Sequence, residues 1–249
     1  MDVFTQKRHT LPMNPFATTP RLDHLVIAAR SLDEGVAWCE ATLGVLPGPG
    51  GEHALFGTHN RLLRLACQDA PQTYLEIIAV HPGLEPTRAA PLKRWFDLDS
   101  PALQHTLATE GPQLIHWVAS VPRVEASHAA CLRQGIELGR ILVASRPTPT
   151  GLLEWNITVR DDGQRLWNGC LPTLIQWGDT HPASAMPDSG VCLRSLTVNH
   201  PDAARLSAAF DTIGLTRFGV TPGEASLRAR LDTPAGPVLL RSHPMKPAP

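Results

Sequence analysis

The chain has 249 residues, of which 43 % are hydrophobic and 18 % charged, the composition of a packed globular protein. Lys plus Arg (22) nearly balance Asp plus Glu (23), and a net charge of −1 gives no electrostatic footprint for nucleic acid or an anionic membrane. No apolar run approaches the roughly 20 residues of a membrane span, and the first twenty residues hold no continuous apolar stretch of the secretory kind, so a cytoplasmic protein with a small-molecule or protein partner is expected. Five widely spread cysteines (Cys39, Cys67, Cys131, Cys170, Cys192) contain no C-x-x-C pair and are expected to be reduced, buried thiols.

One plan occurs three times along the chain. After a tail at 1–20, Leu22–Ile27 reads as a buried strand. Ser31 and Glu34 follow with capping-box spacing, and Gly44 stands where a left-handed helix stop belongs. Further β-type runs fall at 52–57, 61–67 and 74–80, closing a first unit at 21–81. A Pro-rich connection at 82–112 carries Lys93-Arg94-Trp95-Phe96 and a short helix near 102–109. A second unit at 113–180 repeats strand, helix and Gly135, then strands near 139–145, 152–160 and 171–177. A third at 181–249 repeats strand, helix and Gly214, then strands near 216–220, 225–231 and 237–242. Each unit is therefore read as βαβββ. Dinucleotide, phosphate-loop, nucleophile-elbow and H-E-x-x-H motifs are absent from the sequence, which demotes the corresponding enzyme classes.

The run Asp23-His24-Leu25-Val26-Ile27-Ala28, then His53 to Asn60 with its Gly57-Thr58, then Tyr74-Leu75-Glu76-Ile77-Ile78-Ala79-Val80, resembles the glyoxalase-like domain families of bacteria. These lie within the vicinal oxygen chelate superfamily, with glyoxalase I, extradiol dioxygenases and the bleomycin-resistance proteins. The resemblance implies an α+β fold in which repeated βαβββ units pair into a cup-shaped mixed sheet. It also implies a divalent metal (Zn, Mn, Ni or Fe) held by residues of the first and fourth strands of two units. Carried over position by position, the metal ligands are His24, Glu76, His116 and Gln176, with Gln176 standing where Glu is usual. Glu154 is a nearby alternative carboxylate. Glu76 is in addition the candidate catalytic base.

Two imidazoles and a carboxylate suit a first-row metal with open coordination positions, acting as a Lewis acid or binding oxygen. The expected activity is a metal-dependent lyase, isomerase or dioxygenase acting on a small oxygenated substrate. The alternative is a metal-free binding protein of the bleomycin-resistance type. His53, Thr58, His59 and Asn60, read as a loop beside the cup, are candidate substrate contacts. Trp117, Trp155 and Trp177 read as core, or as an aromatic wall. His9, His105, His128, His181, His200 and His243 fit no ligand pattern and read as surface or turn residues. The third unit has Ser195 in place of His and offers no carboxylate; it reads as a cover for the back of the cup or as a homodimer contact.

Overall fold

The computed structural model describes residues 11, 12, 14, 16–65, 67, 71–148 and 151–242; His9 and His243 lie outside these. The first unit contains β1 (Arg21–Ala28), α1 (Leu32–Leu43), β2 (Glu52–His53), β3 (Thr58–Arg64) and β4 (Tyr74–Val80). After α2 (Pro101–Glu110) come β5 (Gln113–Ser120), α3 (Val124–Arg133), β6 (Arg140–Thr148), β7 (Gly151–Val159) and β8 (Thr173–Trp177). The last segment holds β9 (Cys192–His200), α4 (Ala203–Ile213), β10 (Val220–Pro222), β11 (Ser226–Thr233) and β12 (Gly236–Arg241).

The sequence signals at the first helix work as read. Ser31 Oγ accepts from the Glu34 N–H at 3.2 Å, and Gly44, at φ 72°, donates its N–H back to the Glu40 carbonyl. A side chain at that φ would be strained, which is why the helix ends on glycine.

Strands of the first two units form one eight-stranded sheet in the order β2-β3-β4-β1-β5-β8-β7-β6, joined by the antiparallel β1–β5 pair. The sheet curls. Asn60 on β3 and Trp155 on β7, far apart in that order, line one cavity, and the Arg146 side chain of β6 packs against Gly51 beside β2. Alternation sorts the side chains: Val26, Ile78, Val118, Ile175 and Trp177 face the concave core, whereas Leu25, Ile27, Leu75, Trp117 and Leu174 face the helices.

The last segment shares the βαβββ element order but not the pairing. Its first strand, β9, lies between β10 (parallel) and β11 (antiparallel) in a separate four-stranded sheet. In the first unit the first strand instead takes the fourth as its parallel neighbour. One face of this small sheet is apolar, with Leu227, Ala229 and Leu231 buried in alternation along β11. That face joins the helix-side core of the large sheet, where Phe210 and Phe218 pack on Trp117 at 5.6 and 5.1 Å. The segment thus covers the back of the cup.

The structure corrects the expectation of five reduced cysteines. Cys67 and Cys192 form a disulfide across a sequence separation of 125, tying the end of the first unit's hairpin to β9. Cys39, Cys131 and Cys170 are free and buried. Among the described residues no helix is long and apolar enough to cross a membrane.

Gly35 of α1 packs directly on the sheet: a Cβ there would overlap Ile77 Cγ2 on β4. Gly35→Ala gains about 1 kcal/mol of helix propensity but overpacks a rigid core by about 1–3 kcal/mol. A net loss of up to about 2 kcal/mol is expected, read as a lower urea midpoint at unchanged slope.

Candidate active site

The concave face carries one buried polar array, and it begins at the β1–β5 seam. The pairing is irregular at Asp23 on β1 and at Ile115 on β5, where each strand has one extra residue. The bulge lets Asp23 and His24 act together. His24 Nδ1–H donates to Asp23 Oδ1 at 2.7 Å, and His24 Nε2 faces Glu76 Oε2 at 3.6 Å. Asp23 Oδ2 accepts from Trp177 Nε1 at 2.9 Å and from His181 Nε2 at 3.2 Å. All three members of the Asp23–His24–Glu76 array are buried, and the Tyr74 ring stacks on His24 at 4.5 Å.

Asn60 orients Glu76. Its Nδ2 donates to Glu76 Oε1 at 2.6 Å, while its Oδ1 accepts from the Gly51 N–H at 2.8 Å. The same Nδ2 lies 3.3 Å from His53 Nε2, and His53 Nδ1 lies 3.1 Å from Thr58 Oγ1. With Asn60 as donor, His53 is a neutral ring that accepts at Nε2 and donates from Nδ1.

The charges follow from these contacts. Burial disfavours a charged His24, but Asp23 and Glu76 outweigh it and raise the imidazole to about 9. Burial likewise opposes charge on Glu76 and on Asp23. The facing imidazoles prevail at both: His24, helped by Asn60, holds Glu76 below its ordinary value, and His181 with His24 holds Asp23 well below. His53 is pushed down to about 4, first by burial, with Arg146 among the groups that add to it. The site therefore holds an imidazolium between two carboxylates.

The sequence candidates divide. His24, Glu76, His53 and Asn60 line one cavity of about 30 Å³, and Thr58 is buried behind His53. The stretch expected as a loop is a hairpin of β2 and β3, so alternation turns His59 to the opposite side, with its ring 4.5 Å from that of His81. His116 does not line that cavity. Its Nδ1 lies 3.1 Å from the Gly169 carbonyl, and its Nε2 meets Thr173 Oγ1 at 3.0 Å and the Thr173 N–H at 3.2 Å. Burial and then Arg165 push His116 down to about 3, so it is a neutral acceptor at Nε2 with its lone pair engaged.

Gln176 lies on the helix side of β8. Its Oε1 accepts from the Val124 N–H at the start of α3 at 2.8 Å, and its Nε2 donates to the Pro12 carbonyl at 2.8 Å. Glu154 alternates with Leu153 and Trp155, which face the cup, and so points outward.

Register explains the replacement. Across the seam His24 faces Val118 and Val26 faces His116, a two-fold arrangement exchanging His24 with His116 and Val26 with Val118. Val26 pairs with Glu76 on β4, and Val118 pairs with Thr173 on β8. Thr173, not Gln176, therefore occupies the second unit's counterpart of Glu76.

The metal set expected from the resemblance can be tested on these contacts. Two of its four donors converge, and the other two are spent elsewhere. Among the described residues no three His, Cys, Asp or Glu side chains form a metal-holding group. The donor set does not fit the expected four-ligand centre.

Several residues of the array escaped the sequence reading. His181, expected at a surface or turn, is completely buried against Asp23. Trp95 and Phe96 come from the connection between units and line the cavity, with Trp95 stacked on Phe56 at 4.0 Å. Trp95 Nε1 is buried without a partner among the described residues. Trp155 and Trp177 form the opposite wall, whereas Trp117 is core.

A glyoxalase-like domain model matches residues 22–214. The chain belongs to the glyoxalase-like domain family. A search of curated protein sequences finds no match. Among solved structures, a hypothetical protein from Staphylococcus aureus shares 12 % identity over 89 % of this chain and 85 % of its own, with a TM-score of 0.54. A methylmalonyl-CoA epimerase variant from Streptomyces coelicolor, in complex with 2-nitronate-propionyl-CoA, shares 20 % identity over 66 % of this chain and 100 % of its own, at TM-score 0.38. The methylmalonyl-CoA epimerase from Mycobacterium tuberculosis shares 15 % over 73 % and 98 %, at 0.37. The first of these likenesses bears on the fold alone.

The charge pattern gives a pH signature. His24 has a folded value of about 9 against an ordinary 6.5, so its stabilising contribution is fully present below pH 6.5 and is lost as pH rises through 9. Unfolding free energy should fall by an amount on the order of 2–3 kcal/mol over that window. His24→Gln should be less stable than wild type at pH 6.5 and should lose less on going alkaline. Parallel alkaline losses in urea melts of the two proteins would remove His24 as the cause.

Proposed function

We propose that this glyoxalase-like chain is an acid–base enzyme, an isomerase or lyase that moves a proton next to the carbonyl of a small oxygenated substrate. The observation that supports this reading is the buried Asp23–His24–Glu76 array at the wall of the cavity. A carboxylate kept ionised beside an imidazole kept protonated is a base and an acid held apart by their surroundings.

In this mechanism Glu76 accepts a proton from the substrate carbon. The C–H pair becomes the second bond between that carbon and the carbonyl carbon, the carbonyl π pair moves onto oxygen, and the oxygen takes the proton that His24 carries on Nε2, giving a neutral enol. As His24 gives up its charge, the influence that lowers Glu76 fades, so the base strengthens as it is needed. Asp23 keeps Nδ1–H, fixing the tautomer in which Nε2 is the transferring nitrogen. Asn60 holds Oε1, leaving Oε2 of Glu76 for the substrate. The unpartnered Trp95 N–H supplies a further donor for a substrate oxygen. Isomerisation returns the proton to the other carbon or face; in elimination His24 takes back the enol proton as the carbonyl re-forms, and the leaving group departs from the β-carbon with its bonding pair, protonated by Glu76.

The finer expectation of metal dependence loses support from His116 and Gln176, and the steps above are carried by the chain's own side chains. The dioxygenase alternative has no comparable support from the donor set.

Incubation with 2-oxo acids, 3-oxo acids and acyl thioesters in deuterium oxide, followed by NMR, tests the reading. Exchange of one class of C–H into solvent is expected, with Glu76→Gln slowing it by at least about 100-fold. Exchange should decline above pH 9 as His24 deprotonates. Wild-type rates in Glu76→Gln would remove Glu76 as the base, and a rate restored only by adding Zn, Mn, Ni or Fe after chelation would return the reaction to a metal.

A further inference from the structure

Beside the reactive cavity runs a much larger groove of about 670 Å³, within the usual range for small-molecule sites. Leu62, Arg146, Leu153 and Pro182 line both spaces, so the groove adjoins the cavity at these side chains. Away from that junction the walls are largely apolar, including Val45, Leu46 and Met186; Leu46 is 61 % exposed. Apolar walls ending at a charged junction describe a ligand with one charged end and an aliphatic body.

Arg146 is the charge at the junction. It projects from β6 and is half-buried, and among the described residues its guanidinium has no ion-pair or hydrogen-bond partner. Its positive charge acts on both His53 and Tyr74 of the reactive array. Its head is seated against Gly51: a Cβ on Gly51 would overlap Nη1, with Cζ at 2.9 Å and Cδ at 3.2 Å. Gly51 is outside the left-handed φ region, so the glycine answers a need for space at the guanidinium. The other cation of the groove, Arg64, already donates to the carbonyls of Met186 and Pro71. Asp188 Oδ1 accepts from the Gly190 N–H.

We infer that Arg146 is the anchor for the carboxylate of an aliphatic acid substrate, whose chain lies along the groove and whose carbons nearest the carboxylate reach Glu76. This rests on the acid–base reading above and names its substrate class. A guanidinium fork matches a carboxylate in a bidentate pair. One guanidinium without an ion-pair partner, on a cavity that Glu76 also lines, suits a monoanion better than a dianionic phosphate.

The test uses octanoate, octanamide and octyl phosphate as probes of the full-length chain, with affinity read from tryptophan fluorescence and confirmed by calorimetry; Trp95, Trp155 and Trp177 line the cavity. Octanoate should bind wild type at least tenfold more tightly than octanamide, and Arg146→Met should erase that preference. Gly51→Ala retains the charge but moves a flexible side-chain end, so it should reduce the preference while leaving the melting temperature near wild type. Glu76→Gln should keep the preference, which separates this inference from the role of the base: loss of exchange with retained acid binding upholds the anchor even where the proposed chemistry fails. Equal binding of acid and amide, a preference that survives Arg146→Met, or tighter binding of octyl phosphate than octanoate would overturn the assignment.

Discussion

One proton on His24 makes the centre of the cup possible. Asp23 and Glu76 are both buried in surroundings that disfavour charge, and an unpaired carboxylate there would protonate or be destabilising. Coulomb's law gives about 4 kcal/mol for opposite charges at 4 Å in an effective dielectric of about 20. The imidazolium makes one such contact at 2.7 Å and another at 3.6 Å. The remaining lone pairs of Asp23 are met by Trp177 from β8 and by His181 just beyond it, so the array also fastens the second unit to the first. A change at any member leaves a buried group without its partner, which is why stability and chemistry are coupled at this point.

The seam between the units is two-fold in its backbone and asymmetric in its chemistry. The bulges at Asp23 and Ile115 correspond, as do His24 and His116, yet the place of Glu76 is taken by Thr173. A hydroxyl next to a buried imidazole is satisfied by hydrogen bonding without charge, so His116 stays neutral and braces the turn at Gly169. His24 faces two carboxylates and becomes a cation. One difference of side-chain type at one register position thus divides a duplicated framework into a charged half and a neutral half.

Much of this framework was legible in the sequence because it depends on local rules. The Ser31 cap, the glycine stops and the alternation through Glu76 each act within a few residues, and the resemblance added the pairing of units. Assignments that depend on register were not legible. The run Leu171 to Trp177 offers no local mark of which residue stands opposite Val118, so Gln176 and Thr173 are indistinguishable before the strands are aligned. Asp23 alternates with His24 in any regular strand, and only the bulge lets both serve one array. The Cys67–Cys192 link, His181 on Asp23 and Arg146 over Gly51 are long-range contacts with no local signature.

The wedge from the connection between units completes the division of space. Phe96 and Asp97 sit at φ 59° and 61°, a left-handed conformation that non-glycine residues adopt at a cost of order 1–3 kcal/mol when the surroundings over-determine it. The buried Asp97–Arg165 pair at 2.7 Å supplies that constraint, and Arg165 also donates to the Ile115 carbonyl at the seam. Held this way, Phe96 packs against His116 at 5.3 Å and lines the cavity beside Trp95. The two rings fill the cup deeply enough that the reactive array faces a small, water-poor space, where its charges act with little screening. The body of any ligand is left to the wide groove beyond Arg146. The left-handed turn in the connection therefore sets how deep the cavity beside the array is, and under the proposed function the residues that discriminate among substrates lie on the groove side of that limit.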